Sequence, residues 1–306
     1  MPMAAEQGGP NGRWRAAIPW WAKIAAKIIL SRLPIGPRVW QRLGLFSPGF
    51  MLDAGYAIAV FRSHYERADS PAPGFTYLEL GPGDSLATAA VAWAHGAEGG
   101  WLVDAGAYAS RDIAAYRPLF GRLAEQRNKL KLARDATALQ SCATIDAFLA
   151  ATNCRYREDG LMGLRAVPTA SIDFVLSQAV LEHVPRHEFA ATIGQFHRLL
   201  KPHGRMSHQV DFKDHLGGSL HHLRFPEWLW EKPWFARRSG FYTNRLVLSE
   251  VAATFHAAGF VVEIASRSQW QDLPVARRRL ARNFHGLSDD DLKTSGALLT
   301  ARKHGS

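Results

Sequence analysis

The segment Glu79-Leu80-Gly81-Pro82-Gly83-Asp84-Ser85 leaves a short apolar run and enters an Ala-rich stretch. Two glycines one residue apart let a backbone turn tightly and let a ligand come close to it. The first N–H groups of the helix that follows are free to meet a carboxylate or a ribose hydroxyl. Asp104 lies 21 residues after Gly83, at the end of the next apolar run. An acid at that point accepts the hydroxyl protons of a ribose in doubly wound nucleoside-binding folds. Each feature has a plainer explanation by itself. The glycines can serve only the strand-to-helix turn, and Asp104, followed by Ala105-Gly106, can cap a turn. Their coincidence points to a nucleoside. A dinucleotide site calls for G-x-G-x-x-G, so that a pyrophosphate sits on the helix. Here Leu86 holds the third glycine position and Asp84 would repel phosphate, whereas Asp84 and Glu79 would both welcome an ammonium.

A second group with chemical capacity is Ser207-His208-Gln209-Val210-Asp211-Phe212-Lys213-Asp214-His215, followed by His221-His222. Histidine titrates near neutrality and becomes a general base when an aspartate orients it. His183 and His215 are the candidate bases, with Asp211 as the orienting acid. His208 and Asp214 are candidate acceptor contacts. The same side chains suit a divalent metal, and they also suit a purely structural role in which the aspartates cap and the histidines bond to backbone. Asn244-Arg245 could grip a carboxylate or phosphate. They close an aromatic-rich insertion, about 216–245, with Phe225, Trp228, Trp230, Trp234, Phe235 and Tyr242. Two readings stand for those aromatics: a cover over an acceptor, or the core of a helical lid.

The elements that must position these groups alternate. Strands are predicted at 77–80, 100–104, 172–177, 205–210 and 261–264. Helices are predicted at 86–95, within 111–130, at 186–200 and at 247–260. Such alternation implies βαβ units and a parallel sheet covered on both faces. The breaker cluster Ser70-Pro71-Ala72-Pro73-Gly74 suggests a boundary, with a helical extension over 1–70, the α/β domain over 71–270 and a C-terminal basic segment over 271–306 read as a solvated helix face. Within the extension, Trp20, Ile24 and Ile28 fall on one helical face and Lys23 and Lys27 on an adjacent one. That helix either packs on a protein surface or lies on an anionic membrane.

The chain has 306 residues and a formal net charge of +10. Residues 1–52 carry seven Lys/Arg and one acid, and residues 270–306 carry seven and four. The middle is left nearly neutral, with 23 bases and 22 acids. A nucleic-acid enzyme would place its basic stripe beside the active site, and no Asn-Pro-Pro-Tyr-type base-flipping motif occurs. With two cysteines and no CxxC, neither a disulfide framework nor a zinc finger is expected. The longest apolar run, Ile18–Leu30, is interrupted by two lysines, falls short of a membrane span and lacks a cleavage site. A cytoplasmic protein is expected, with peripheral contact at the inner membrane surface as an option.

Four motifs in order resemble the class I S-adenosylmethionine-dependent methyltransferases, in particular bacterial small-molecule and glycan enzymes. They are Glu79-Leu80-Gly81-Pro82-Gly83, Asp104, Ser171 to Val184, and Leu199-Leu200-Lys201-Pro202-His203-Gly204-Arg205, where His203 replaces the family's usual glycine. The resemblance implies a doubly wound, Rossmann-like, mostly parallel sheet with helices on both faces, and S-adenosylmethionine as cofactor. It implies that Glu79, Gly81 and Gly83, with Asp84 and Ser85, line the methionine end and that Asp104 and Ala105 hold the ribose. Asp159 would stand near the adenine, with Glu158 as a competitor, and Ser177 and Gln178 would flank the transferred methyl. The expected reaction is methyl transfer, at oxygen, to a small-molecule, glycan or lipid-linked acceptor. A nucleic-acid methyltransferase and a non-catalytic cofactor-binding protein are the rival readings.

Overall fold

The computed structural model describes residues 50–215, 217–236 and 241–305. The basic segments predicted within residues 18–46 lie outside the described residues. Seven strands form one sheet: β1 (Thr76–Leu80), β2 (Gly99–Val103), β3 (Cys154–Arg157), β4 (Ile172–Gln178), β5 (Leu200–Asp211), β6 (Phe260–Gln269) and β7 (Thr294–Lys303). Their order is β3-β2-β1-β4-β5-β7-β6. The first five run parallel, and β7 enters antiparallel between β5 and β6. The main helices are α1 (Ala54–Arg67), α2 (Ala87–Ala94), α3 (Arg117–Glu125), α4 (Ile145–Ala151), α5 (Leu161–Ala166), α6 (Arg186–Leu199) and α7 (Leu248–Ala257).

Successive strand residues face opposite ways, so each central strand feeds two cores. Tyr77, Phe174 and Leu176 pack with Phe61, Phe120 and Phe148 on one face. Leu78, Val175 and Met206 pack with Phe196, Leu199 and Phe255 on the other. Double coverage explains why β1 and β4 read as nearly continuous apolar runs. The sheet order reverses between β1 and β4, and in such sheets ligands bind at the carboxyl ends of the strands where the order reverses.

Two compact bodies divide the chain. The sheet body falls within Ser47–Phe212, Leu246–Gln269 and Thr294–Ser306; among the described residues, the other body draws on Lys213–Arg245 and Trp270–Lys293. The breaker cluster at 70–74 falls inside the sheet body. Asp53 caps α1 by accepting from the Tyr56 N–H at 2.7 Å, and α1 buries Ala57 and Phe61 fully in the sheet's own core. The C-terminal segment also differs from its reading as a solvated helix face. Residues 294–303 form β7, where Ala297, Leu298, Leu299 and Ala301 are buried. Basic residues at 302 and 303 masked that apolar run.

The second body has its own apolar clusters. Trp230, Phe235 and Phe241 form one. Leu220, Leu223, Val275, Leu280, Phe284 and Leu292 form another, joining the two stretches of chain. The Arg277 guanidinium donates to the carbonyls of His285 and Leu287 at 2.7 and 2.6 Å.

Candidate active site

The two glycines of the first turn do different work. Gly81 has φ +71°, and a Cβ there would stand 2.5 Å from the Val180 side chain beyond β4. It is the contact that lets the turns after β1 and β4 approach each other. Gly83 has φ +67° and nothing within 4 Å of the Cβ position, so its missing side chain leaves open space. The Gly83 N–H donates to Asp104 Oδ2 at 2.9 Å and the Ala105 N–H to Oδ1 at 2.7 Å. Asp104 thus both braces the glycine turn and, with two lone pairs on each carboxylate oxygen, retains accepting capacity.

Three carboxyl groups meet this turn. Glu79, on β1, is buried, and its Oε2 has no hydrogen-bond partner among the described residues. Burial pushes its pKa up to about 8, opposed by the Thr88 hydroxyl and aided by the Asp104 charge. Asp84 is half-buried with both oxygens unpartnered, and burial pushes it up to about 6. Burial also raises Asp104, against its bonds from Gly83 and Ala105. Buried carboxylate oxygens are normally satisfied; these want a cation or hydroxyl donors. Ser85 is fully buried, and its Oγ accepts from the Ala87 N–H at 3.1 Å in the first turn of α2.

The turn after β3 lies against this segment, with the Gly160 N–H donating to the Asp104 carbonyl at 2.8 Å. Asp159 is exposed and ion-paired with Arg157 at 2.5 Å, which holds its carboxyl below the usual range. Glu158 pairs with Arg111 at 2.6 Å.

At the end of β4, Ser177 and Gln178 are tied inward. Ser177 Oγ and His208 Nδ1 are 2.8 Å apart. His208 is fully buried and stacked on Phe196, with ring centroids 5.4 Å apart. That packing closes it to any acceptor, so the sequence-based role of acceptor contact is corrected to one in the core. Burial, aided by His64, lowers its pKa to about 3, and it stays neutral. Gln178 Oε1 meets Nε2 of His64, from α1, at 2.9 Å, and His64 Nδ1 meets Ser207 Oγ at 2.8 Å. Sequence reasoning missed His64. It lies 114 residues from Gln178 in the chain, and nothing local marks it.

His183 is exposed on the short helical turn Leu181–His183 that follows β4. Asp211 ends β5 and is half-buried. The remaining predicted residues belong to the second body. Asp214 is buried and accepts the His221 N–H at 2.6 Å, so it organises the turn from 214 to 221 as a structural cap. His215 is exposed. Asn244 and Arg245 are buried. Arg245 donates to the Phe225 carbonyl at 2.7 Å and lies over the Trp230 and Phe284 rings at 5.2 and 5.0 Å. Its guanidinium is built into that body's core, which corrects its expected role as an acceptor clamp. Among the described residues, no group of three or more His, Cys, Asp or Glu could hold a metal ion.

A doubly wound sheet with an open glycine turn, a ribose-competent acid and unsatisfied carboxylate oxygens at its switch point defines a protein that binds a cationic nucleoside. A family model described as a methyltransferase domain matches residues 41–264, and the chain belongs to that family. It is an S-adenosylmethionine-dependent methyltransferase. Among solved structures, the chain is similar to the YcgJ protein from Bacillus subtilis, at 14% identity over 82% of this chain and 100% of that one, with a TM-score of 0.43. It is also similar to an S-adenosylmethionine-dependent methyltransferase from Mesorhizobium loti, at 18% identity over 78% and 95%, with a TM-score of 0.42. A DhpI–SAH complex shares 13% identity over 94% and 98%, with a TM-score of 0.40. None of the curated proteins matches the chain. Among the described residues, no helix is long and apolar enough to cross a membrane.

Proposed function

We propose that this methyltransferase acts on a hydroxyl of a small-molecule, glycan or lipid-linked acceptor. The observation that carries the reading is the charge pattern at the switch point. Glu79, Asp84 and Asp104 are all pushed up by burial, and among the described residues Glu79 Oε2 and both Asp84 oxygens have no hydrogen-bond partner. Such a site suits the ammonium of the methionine moiety and the ribose hydroxyls, and it suits poorly a substrate that carries phosphates along its length.

The residues divide the labour as follows. Glu79 and Asp84 would hold the ammonium. Asp104 and the Ala105 segment would hold the ribose, the open space at Gly83 would admit the ligand against the backbone, and the turn bearing Asp159 would flank the adenine. Bound S-adenosylmethionine supplies an electrophilic methyl on a sulfonium. Transfer is then an in-line displacement, for which the protein provides proximity and, for a hydroxyl, a base. His183 is the base in this reading. It is exposed at the carboxyl end of β4, and Asp211 ends the adjacent strand β5. His215 is the alternative base, exposed four residues beyond Asp211.

The test is radiolabelled methyl transfer from S-adenosylmethionine across a panel of hydroxylated small molecules, glycans and lipid-linked sugars. His183→Ala is expected to lower turnover by about 10²-fold or more with cofactor affinity unchanged. Full activity of that variant on the identified acceptor would remove His183 as base, and His215→Ala would then be tested in the same assay.

A further inference from the structure

We propose that His64 is a positioning residue of the cofactor site: it fixes the Gln178 side-chain amide so that the NH₂ group donates to the amino-acid carboxylate of bound S-adenosylmethionine. The proposal rests on the placement of the methionine moiety at the β1–β4 switch point given above.

The argument starts with hydrogen-bond inventory. Gln178 Oε1 can only accept, and it stands 2.9 Å from His64 Nε2. That nitrogen therefore carries the ring proton. A neutral ring has a single N–H, so Nδ1 accepts, and Ser207 Oγ donates to it at 2.8 Å. Neutrality follows from the surroundings. His64 is buried, which lowers its pKa to about 4, with Arg67 adding to the shift and the Gln178 bond opposing it. Two fixed bonds leave the imidazole no freedom to turn. Ser207 is itself buried in β5, so the chain from Ser207 through His64 to Gln178 is anchored in the sheet.

The consequence falls on the other half of the amide. With Oε1 taken, the Gln178 NH₂ group is the half left to face a ligand, and among the described residues no partner meets it. Register places it at the site. Glu79 of β1 is level with Leu176 of β4. Two residues further come Gly81, just past the end of β1, and Gln178, the last residue of β4, and the Val180 side chain just beyond abuts Gly81. Gln178 thus ends its strand beside the turn that takes the methionine moiety.

The chemistry of that moiety supplies the need. It is a zwitterion, and the acids Glu79 and Asp84 suit its ammonium but would repel its carboxylate. The carboxylate requires N–H donors. Gln178 offers a side-chain donor whose direction is set by His64.

The test is titration calorimetry on the full chain with S-adenosylmethionine and with decarboxylated S-adenosylmethionine, which keeps the ammonium and the sulfonium and lacks only the carboxylate. His64→Leu and Gln178→Ala are each expected to weaken S-adenosylmethionine binding by about tenfold and to leave the decarboxylated ligand unaffected. The double variant is expected to bind no more weakly than Gln178→Ala alone, because His64 acts through Gln178. His64→Gln, whose amide N–H can replace Nε2–H, should recover most of the loss. Equal weakening of both ligands, additive losses, or wild-type affinity in Gln178→Ala would each overturn the proposal. Should His64→Leu fail to fold, ¹⁵N-histidine spectra of the wild type decide. The His64 resonances should be those of the neutral Nε2–H form and should shift with S-adenosylmethionine but not with the decarboxylated ligand; no shift with either overturns the proposal. Failure of the underlying reading shows differently, as undiminished S-adenosylmethionine binding by Asp104→Ala.

Discussion

The turn after β1 and the aromatic-rich body hold the same kinds of residue in opposite states. In the aromatic body, Arg245 is committed to the Phe225 carbonyl and two rings, Asp214 to the His221 N–H, and Trp230 Nε1 to the Thr243 carbonyl at 2.8 Å. These bonds hold that body's fold. At the turn, Glu79 Oε2 and both Asp84 oxygens have no hydrogen-bond partner among the described residues, and burial raises the pKa of both acids. A buried polar group without a partner costs stability, and such groups gather where a ligand completes them. Residue type does not separate scaffold from site here; the partners of the acids do, since Asp214 and Glu231 each accept a hydrogen bond whereas, among the described residues, Glu79 Oε2 and both Asp84 oxygens accept none.

The comparison predicts graded effects. Gly81→Ala combines a left-handed backbone with a 2.5 Å clash against Val180, so a loss of ~3 kcal/mol is expected, read as a fall in Tm. Arg245→Ala should cost ~2 kcal/mol and lower Tm while S-adenosylmethionine affinity stays at the wild-type value. Weaker cofactor binding at full stability in that variant would break the division between scaffold and site. Gly83→Ala shares the backbone strain but meets no neighbour. It should lose only ~1 kcal/mol of stability and yet bind cofactor poorly, because the new methyl enters the ligand's space.

The smallest effect is a proton. Glu79, with its folded pKa raised to about 8, keeps a proton that the unfolded chain has released above its ordinary value of about 4.3. Its contribution to the stability of the ligand-free protein is therefore present below the unfolded pKa and declines as pH rises from there through 8. Bound ammonium favours the ionised form, so S-adenosylmethionine binding near pH 7 should release about one proton. Calorimetry in buffers of different ionisation enthalpy measures that release, and Glu79→Gln should abolish it.

Much of this site was legible in the sequence because its determinants are local. The glycine turn, the acid after the second strand and the apolar runs of β1, β2 and β4 each announce themselves within a few residues. The two roles of Gly81 and Gly83 were not legible, since they depend on what lies opposite each Cβ, and Val180 is 99 residues beyond Gly81. The same holds for His64, whose helix α1 sits before the Pro-rich turn that suggested a boundary, and which meets Gln178 only after the sheet has formed. β7 was hidden by the basic residues that end it, although Ala297-Leu298-Leu299 carries the apolar signal of a buried strand. Arg245 misled for a related reason: an Asn-Arg pair beside aromatics reads as a ligand clamp until its partners are known.

The most direct test of the central claim is titration calorimetry of S-adenosylmethionine into the wild type and into Asp104→Ala. The acid that braces Gly83 and is proposed to hold the ribose should be indispensable, so micromolar binding by the wild type and none detectable in the folded variant is the expected result. Equal binding by both would contradict the assignment of the cofactor to the crevice at the β1–β4 switch point.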